Sequence, residues 1–571
     1  MYPFPLEPQR ICPYLSSAVL ATFHSLMEDS SGNKKRKTGV RNLIEWIVRQ
    51  DGYVHPLIGT LDDNTDDESV LLGVVPKNKD EEASVISTGA TVFFIPHSAL
   101  LTQSNMFAPT TSSNNEKDDD SLDFVMWFQE RVITDTNIKF NTGLDDVMLA
   151  LYLATLVTNP LEASSSFVAP YLQSLPSCVN LPRHWSAPNL KAWLDGSPIV
   201  QRIQKSQQDV KSDYHLLETL HCEYKTSLNT AKSVASLPPL ETWDHALAVV
   251  TSRAFGDLTP EDRVILIPLL DLCNHQRGAT TKNLSYHYHR NEKDQTGILV
   301  KATQELHAGT VLCITYGAQG NGPLLLNYGF CLPHNIEPDG SSNTVYDFVV
   351  TNKDDDELDR SRSTVIELRA GPKSYSYGGF VKALDQFLPA EDDDDDENDM
   401  LQSGAEQDDM EAFLKECEEE DNGFDDEDFD GTGQGGEDTK VVSPKQIAME
   451  LEAAVGLSLE LQKRRQGYVL KGAELENVLS TGAAKEYSDT QKYYAGLLVQ
   501  SELRTIYFFE LTCLELQRQL KQTQGNKPDD KDGSESGSDT VPGISPDDLN
   551  LIQGQVKELV SAYMQIRHSC K

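Results

Sequence analysis

The stretch IPLLDLCNHQRG, Ile267 to Gly278, runs apolar for several residues and then delivers a carboxylate, a thiol, an amide and an imidazole within five positions: Asp271, Cys273, Asn274 and His275. Asp271 and His275, four apart, have one possible reading as metal ligands, but no further His, Cys or Asp cluster with ligand spacing accompanies them, so no metal is expected. A second reading makes them ordinary polar turn residues ending a strand, for which DLCN is unremarkable. The context bears on the choice. Roughly 40 residues later comes ITYGAQGNGPLLLNYGF, Ile314 to Phe330, which places two tyrosines and four glycines behind another strand-like run.

Working outward, the 571-residue chain is too long for one core and implies two to four folded units. The formal net charge of -40 is unevenly spread, because Glu391 to Asp438 carries 24 acidic residues against one Lys. Such a tract has little to bury and repels itself, so disorder is expected there, with a second linker at Asn526 to Gly543. An acidic chain attracts basic partners and repels bare phosphate backbones, which argues against nucleic acid. Nine cysteines without a CxxC pair indicate neither zinc nor a disulfide framework and fit a reducing, intracellular setting. No run approaches the ~18 apolar residues of a membrane span, and KKRK at Lys34 to Lys37 has the composition of a nuclear address.

Periodicity places a helix at Asn42 to Arg49, then strands at Val70 to Val75 and Ala90 to Pro96, with a polar loop at Thr110 to Ser121. From Leu122 to about residue 250 the texture is helical. Strands return at Val264 to Leu270, Leu284 to His289, Gly297 to Ala302 and Val311 to Tyr316, so a helical block inside a β unit is the simplest account. Asn343 to Val350 and Ser363 to Leu368 read as further strands, Gly378 to Phe387 as helix. Long helical periodicity marks Pro444 to Arg465, Glu486 to Gln522 and Asp547 to Ile566. His287 and His289 alternate on one strand face and read as solvated rather than as ligands.

The two segments together resemble the paired motifs of a SET-domain methyltransferase: a D-x-x-N-H sequence, here Asp271, Asn274 and His275, then a strand ending in Tyr316-Gly317, then Tyr328, Gly329 and Phe330. SSFVAPYLQSLP (Ser165 to Pro176), NLPRHW, NLKAWLDGS (Asn189 to Ser197) and TSRAFG (Thr251 to Gly256) are similar to segments of the Rubisco large-subunit methyltransferase-like class. The resemblance covers nearly the whole chain apart from the acidic tract and the extreme ends. It implies an α+β multidomain protein: a β-rich SET core split by a helical insertion, followed by an all-helical C-terminal substrate-binding domain. The expected division is an N-terminal segment 1–39, a SET domain 40–331 with its insertion at about 122–250, and a helical domain 340–571 interrupted by the tract 391–438 and the linker 526–543.

The implied activity is transfer of methyl groups from S-adenosylmethionine to a lysine amine in a protein. Tyr316 is the expected catalytic residue, as the phenol that positions, desolvates and deprotonates the amine. Asn274, His275 and Arg253 are expected at the cofactor, with Asp271 orienting the turn and Tyr328, Gly329, Phe330 and Gly73 completing the site. Gly329 in particular would let the backbone approach the cofactor closely. Phe255, with Tyr328, offers an apolar wall suited to a lysine stem. One departure stands out: the family's E-G-x-G turn is reduced here to Gly73 in SVLLGVVPKN. Two rivals follow, a catalytically silent SET-like scaffold that binds basic proteins and a protein histidine methyltransferase. The expected partner is a lysine-rich or basic protein substrate, with no nucleic acid and no membrane, and the enzyme is expected to be a monomer in the cytoplasm or nucleus, with a plastid as a further possibility.

Overall fold

The computed structural model describes residues 32–61, 71–76, 85–106, 122–159, 168–228, 235–260, 262–277, 282–337, 340–350, 364–389, 443–482, 487–525 and 544–569. The acidic tract, the 526–543 linker, the 110–121 loop and most of the N-terminal segment lie outside these residues. Two compact units emerge: residues 1–185, 202–318 and 323–329 form the first, and residues 186–201, 319–322 and 330–571 the second. Ser186–Gln201, expected within the helical insertion, thus goes with the second unit. The helix at the start, Gly32–Arg49, begins inside the segment expected to precede the SET domain.

In the first unit the strands are β1 Tyr53–Val54, β2 Ile58–Thr60, β3 Leu72–Val74, β4 Val85–Ile86, β5 Thr91–Pro96, β6 Ala254–Gly256, β7 Val264–Leu266, β8 Asn274–His275, β9 Leu284–Arg290, β10 Thr296–Ala302, β11 Leu306–His307 and β12 Cys313–Ile314. One four-stranded sheet has the order β1-β5-β10-β9. β10 is its centre, and its residues are almost continuously buried, as expected of a strand flanked by two others. It pairs antiparallel with β5, Ile298 opposite Ile95, and with β9 on its other side. The remaining strands are short pairs, β2–β3, β4–β11 and β6–β7 antiparallel and β8–β12 parallel.

The parallel pair matters most for function. Residues 309–314 run between β3 and β8: Val74 N–H donates to Thr310 O at 2.9 Å and Leu312 N–H to Leu72 O at 2.8 Å on one side. On the other side Asn274 N–H donates to Leu312 O at 3.0 Å and Gln276 N–H to Ile314 O at 2.8 Å. Backbone hydrogen bonding therefore ties the Asn274-His275 pair to β12, which ends two residues before Tyr316.

The helical block follows Asp123–Thr134, Leu144–Thr158, Ala169–Leu172, Ile199–Ser227 and Leu240–Arg253. Leu144–Thr158 is apolar nearly all round and is buried from Val147 to Leu156, the signature of a helix enclosed by its neighbours. It packs against Leu240–Arg253. The loop leading into it is held by Asp213, whose carboxylate accepts from the backbone and side chain of both Asn141 and Thr142 at 2.7 to 2.9 Å.

In the second unit β13 Val345–Val350 pairs antiparallel with β14 Thr364–Arg369. Around them stand the helices Ala187–Leu194, Lys373–Asp385, Pro444–Gly467, Gly472–Thr481, Tyr487–Thr523 and Pro546–Ser569. Ser443 caps Pro444–Gly467 by accepting from Gln446 N–H, with Pro444 at the first helical position where its missing donor costs nothing. Phe380, Phe508, Phe509 and Tyr563 form an aromatic core, and buried Glu502 accepts from Ser197 and Tyr468 at 3.0 and 2.9 Å. Among the described residues no helix is long and apolar enough to cross a membrane.

Burial near the first unit's helices has a pH consequence. His245, on Leu240–Arg253, has its Nε2 sealed from solvent, and desolvation lowers its pKa from 6.5 to about 4. The native chain then binds fewer protons than the unfolded chain between those values, so stability is full above pH 6.5 and falls as pH drops toward 4. The expected loss is on the order of 3 kcal/mol. Urea midpoints measured from pH 7 to 4.5 should fall more steeply for the native sequence than for His245→Asn; equal slopes would remove His245 as the cause.

Candidate active site

The residues singled out in the sequence come from five segments, and all but Phe330 lie in the first unit. Arg253 ends the helix Leu240–Arg253 and its side chain is 17% exposed. Its Nη1 donates to Asp271 O at 2.8 Å and lies 3.5 Å from Asp271 Oδ2. The Asp271 side chain is 0% exposed. Tyr171, on the short helix Ala169–Leu172, donates its hydroxyl to Asp271 Oδ2 at 2.8 Å. Burial pushes the Asp271 carboxyl up while Arg253 opposes the shift, and burial pushes the Tyr171 phenol up as well. Asp271 Oδ1 and Arg253 Nε are both buried without a hydrogen-bond partner among the described residues.

The turn that Asp271 belongs to is unusual. Leu269, fully buried, sits at φ 70° ahead of the short helical turn Leu270–Leu272, a conformation that costs a non-glycine residue about 1 to 3 kcal/mol. Asn274 follows on β8 and is exposed, and its side-chain amide makes no hydrogen bond to a described residue. His275 is half-buried; its Nδ1 accepts from Tyr316 N–H at 3.0 Å, and burial lowers its pKa.

Tyr316 sits in an aromatic stack. Its ring centroid lies 4.9 Å from that of His275 and 4.9 Å from that of Tyr328, at interplanar angles of 30° and 29°. The Tyr316 hydroxyl donates to Cys273 O at 2.8 Å. Burial raises its pKa far above that of an ordinary phenol, so the hydroxyl stays protonated at neutral pH. A phenol that keeps its proton can accept a hydrogen bond from an amine but cannot itself take a proton from an ammonium group.

Phe255, on β6, meets Tyr286 edge-on at 5.5 Å. With Tyr328, Leu247 and Val250 it lines a cleft of about 510 Å³. Gly73 and Gly329 each stand close to main chain: a Cβ at Gly73 would lie 2.6 Å from Thr310 O, and one at Gly329, where φ is 78°, would meet Asn180 O. Phe330 is half-buried and falls in the second unit. Tyr171 and the Cys273 carbonyl were not singled out beforehand. Tyr171 lay within a quoted segment, but nothing local marks its partner 100 residues away. Among the described residues no group of three or more His, Cys, Asp or Glu could hold a metal.

This arrangement belongs to a known architecture. The structure has the fold of Rubisco LSMT: the solved SET domain of LSMT bound to MeLysine and AdoHcy matches with a TM-score of 0.52 at 16% identity, over 85% of this chain and 93% of that one. The structure of Rubisco LSMT bound to AdoMet matches with a TM-score of 0.52 at 15% identity, over the same shares. No protein-family model matches the chain. In sequence it is similar to the "N-lysine methyltransferase setd6" of Xenopus laevis, 25% identical over 47% of this chain and 53% of that protein. It is also similar to the "Actin-histidine N-methyltransferase" of Gallus gallus, 26% identical over 34% and 31% of the two chains. The chloroplastic Rubisco large-subunit N-methyltransferase of Pisum sativum is 27% identical over 29% of this chain and 33% of its own. The matches thus span about a third to a half of these relatives' lengths.

The reduced glycine turn yields a test. If Gly73 is a packing position, Gly73→Ala should lower stability by about 1 to 3 kcal/mol through the contact with Thr310 O. A thermal melt unchanged from wild type would show that the strand accommodates the methyl group.

Proposed function

We propose that this protein transfers methyl groups from S-adenosylmethionine to the side-chain amine of a lysine in a protein substrate. The observation that carries the reading is the fixed, neutral Tyr316 hydroxyl, joined by backbone pairing to a turn that offers an open amide, Asn274, and a guanidinium, Arg253. The fold match to LSMT and the similarity to lysine methyltransferases support it.

The residues present fit the cofactor. Its methionine end carries a carboxylate and an ammonium; the exposed Asn274 amide supplies both a donor and an acceptor, and Arg253 supplies positive charge with a donor still unused. Bound there, S-adenosylmethionine supplies a methyl group on a positively charged sulfur. Asn274 and Arg253 would hold it, and His275 and Tyr328 stack with Tyr316 beside it. Asp271, whose carboxylate is enclosed, acts behind Arg253.

The protein's own residues have three tasks. Phe255, Tyr328, Leu247 and Val250 form the apolar part of a cleft also lined by Asp146, Arg183, Arg202, Lys205 and Asp209, and the four-carbon lysine stem can lie along that part. Tyr316 anchors to Cys273 O through its proton, which leaves the oxygen's lone pairs to accept from the amine and orient it in line. The proton lost from the ammonium goes to water, because the Tyr316 phenol holds its own. The similarity to a lysine methyltransferase favours lysine over histidine. A basic region around the target lysine suits the chain's net charge of -40.

Removing the hydroxyl should separate these tasks. Tyr316→Phe should lower turnover by about 100-fold while S-adenosylhomocysteine affinity stays within about twofold, and Asn274→Ala should mainly weaken affinity. The assay is incubation of the full chain with labelled S-adenosylmethionine and a basic protein mixture, followed by amino-acid analysis. Labelled methyl-lysine supports the reading. Labelled methyl-histidine would transfer it to the histidine alternative, and cofactor binding without any transfer would leave a silent scaffold.

A further inference from the structure

We infer that Tyr171, from the helical insertion, is a positioning residue for the cofactor turn, acting through the carboxylate of Asp271. The inference rests on the proposed reading of Arg253 and Asn274 as cofactor ligands and extends it to a residue that touches neither cofactor nor substrate.

Charge accounting leads to it. Asp271 is enclosed, and a buried carboxylate must collect donors or distort its surroundings to find them. One oxygen, Oδ1, has none among the described residues. The other, Oδ2, takes the Tyr171 hydroxyl at 2.8 Å and is only grazed by Arg253 at 3.5 Å. Arg253 instead makes its short bond, 2.8 Å, to the main-chain oxygen of Asp271. The phenol therefore does what Arg253 would otherwise be drawn to do. With Oδ2 satisfied by Tyr171, the guanidinium stays on the main chain of the turn, two residues before Cys273 O, where Tyr316 is anchored, and three before Asn274.

Without the hydroxyl, Arg253 is the cation nearest to an undersupplied carboxylate and should swing onto it. That movement releases Asp271 O and draws the guanidinium inward, away from an anionic ligand. The turn keeps its covalent order but loses the clamp that sets its position. Tyr171 is itself held from outside the turn. Ser174 caps its helix by donating to Tyr171 O at 2.7 Å, and Arg36 of Gly32–Arg49 donates to Ser174 O at 3.2 Å. The insertion thereby reaches the cofactor site through one phenolic proton.

The opposing view is that Tyr171 is a core aromatic whose hydroxyl merely found a partner. A double-mutant cycle on the full chain decides between them, using S-adenosylhomocysteine titration, methyl-transfer kinetics and thermal melts. Tyr171→Phe should weaken S-adenosylhomocysteine binding about tenfold and raise KM for the cofactor, with kcat at saturation within about twofold. In an Asp271→Asn background the same substitution should change affinity by less than about twofold. Replacing Tyr171 by 4-aminophenylalanine, which keeps a donor, should restore affinity, whereas size-matched 4-methylphenylalanine should not; this pair also serves if Tyr171→Phe fails to fold. A lower melting temperature with unchanged affinity overturns the inference, and so do additive effects in the cycle. A wild type that binds no S-adenosylhomocysteine overturns the proposed function and this inference with it, whereas a wild type and Tyr171→Phe that bind equally overturn the inference alone.

Discussion

The first unit depends on one enclosed carboxylate. Asp271 is fully buried on a turn whose preceding residue, Leu269, holds a left-handed backbone that a leucine adopts only under constraint. A buried charge with too few partners is costly, and the contacts that offset this cost arrive from distant segments: Arg253 from the end of one helix, Tyr171 from another. Those same contacts fix the turn, so the stabilisation of the charge and the geometry of the site share one cause.

From that turn the site is assembled by backbone pairing. β8 and β12 run parallel, and 309–314 also bonds to β3, so Asn274 and His275 are held by a ladder, and Tyr316, two residues beyond β12, is tied back to it through its N–H to His275 Nδ1. Side chains then finish the arrangement. The Tyr316 ring stacks with those of His275 and Tyr328, and its proton is committed to Cys273 O. A phenol so placed is held rigidly, and desolvation by the same packing raises its pKa further above that of an ordinary phenol, which is itself un-ionised at neutral pH.

Much of this was legible in the sequence where a pattern repeats over many residues. The runs at Thr91–Pro96, Leu284–Arg290 and Thr296–Ala302 alternate or are continuously apolar, and the long C-terminal helices carry sustained helical periodicity; each formed close to where its pattern lies. Two-residue strands such as β8 carry no period to read, and the DLCN stretch looked like a turn because locally it is one. The helix Asn321–Tyr328 was hidden inside NGPLLLNYGF, where glycines suggest a loop, although Pro323 in its first turn was a usable signal. Gly472–Thr481 lay between longer helices and was passed over. Of the site residues, Asn274 and Tyr316 are brought together by the β8–β12 pairing, and Arg253 reaches the same turn through its bond to Asp271 O. Gly73 and Gly329 both lie where an added Cβ would crowd main chain, at Thr310 and Asn180, a constraint that a sequence shows only as a glycine. Tyr171 was illegible because its role depends on a contact that only folding creates.

The central claim is that the turn around Asp271 and its Arg253 clamp form a metal-independent S-adenosylmethionine site. Calorimetric titration of S-adenosylhomocysteine into the full chain, in the presence of a chelator, tests it directly. The account predicts saturable one-to-one binding that is weakened at least tenfold by Arg253→Met, the scale of a lost charge-assisted hydrogen bond. Absence of binding, or binding that Arg253→Met leaves unchanged, would contradict it.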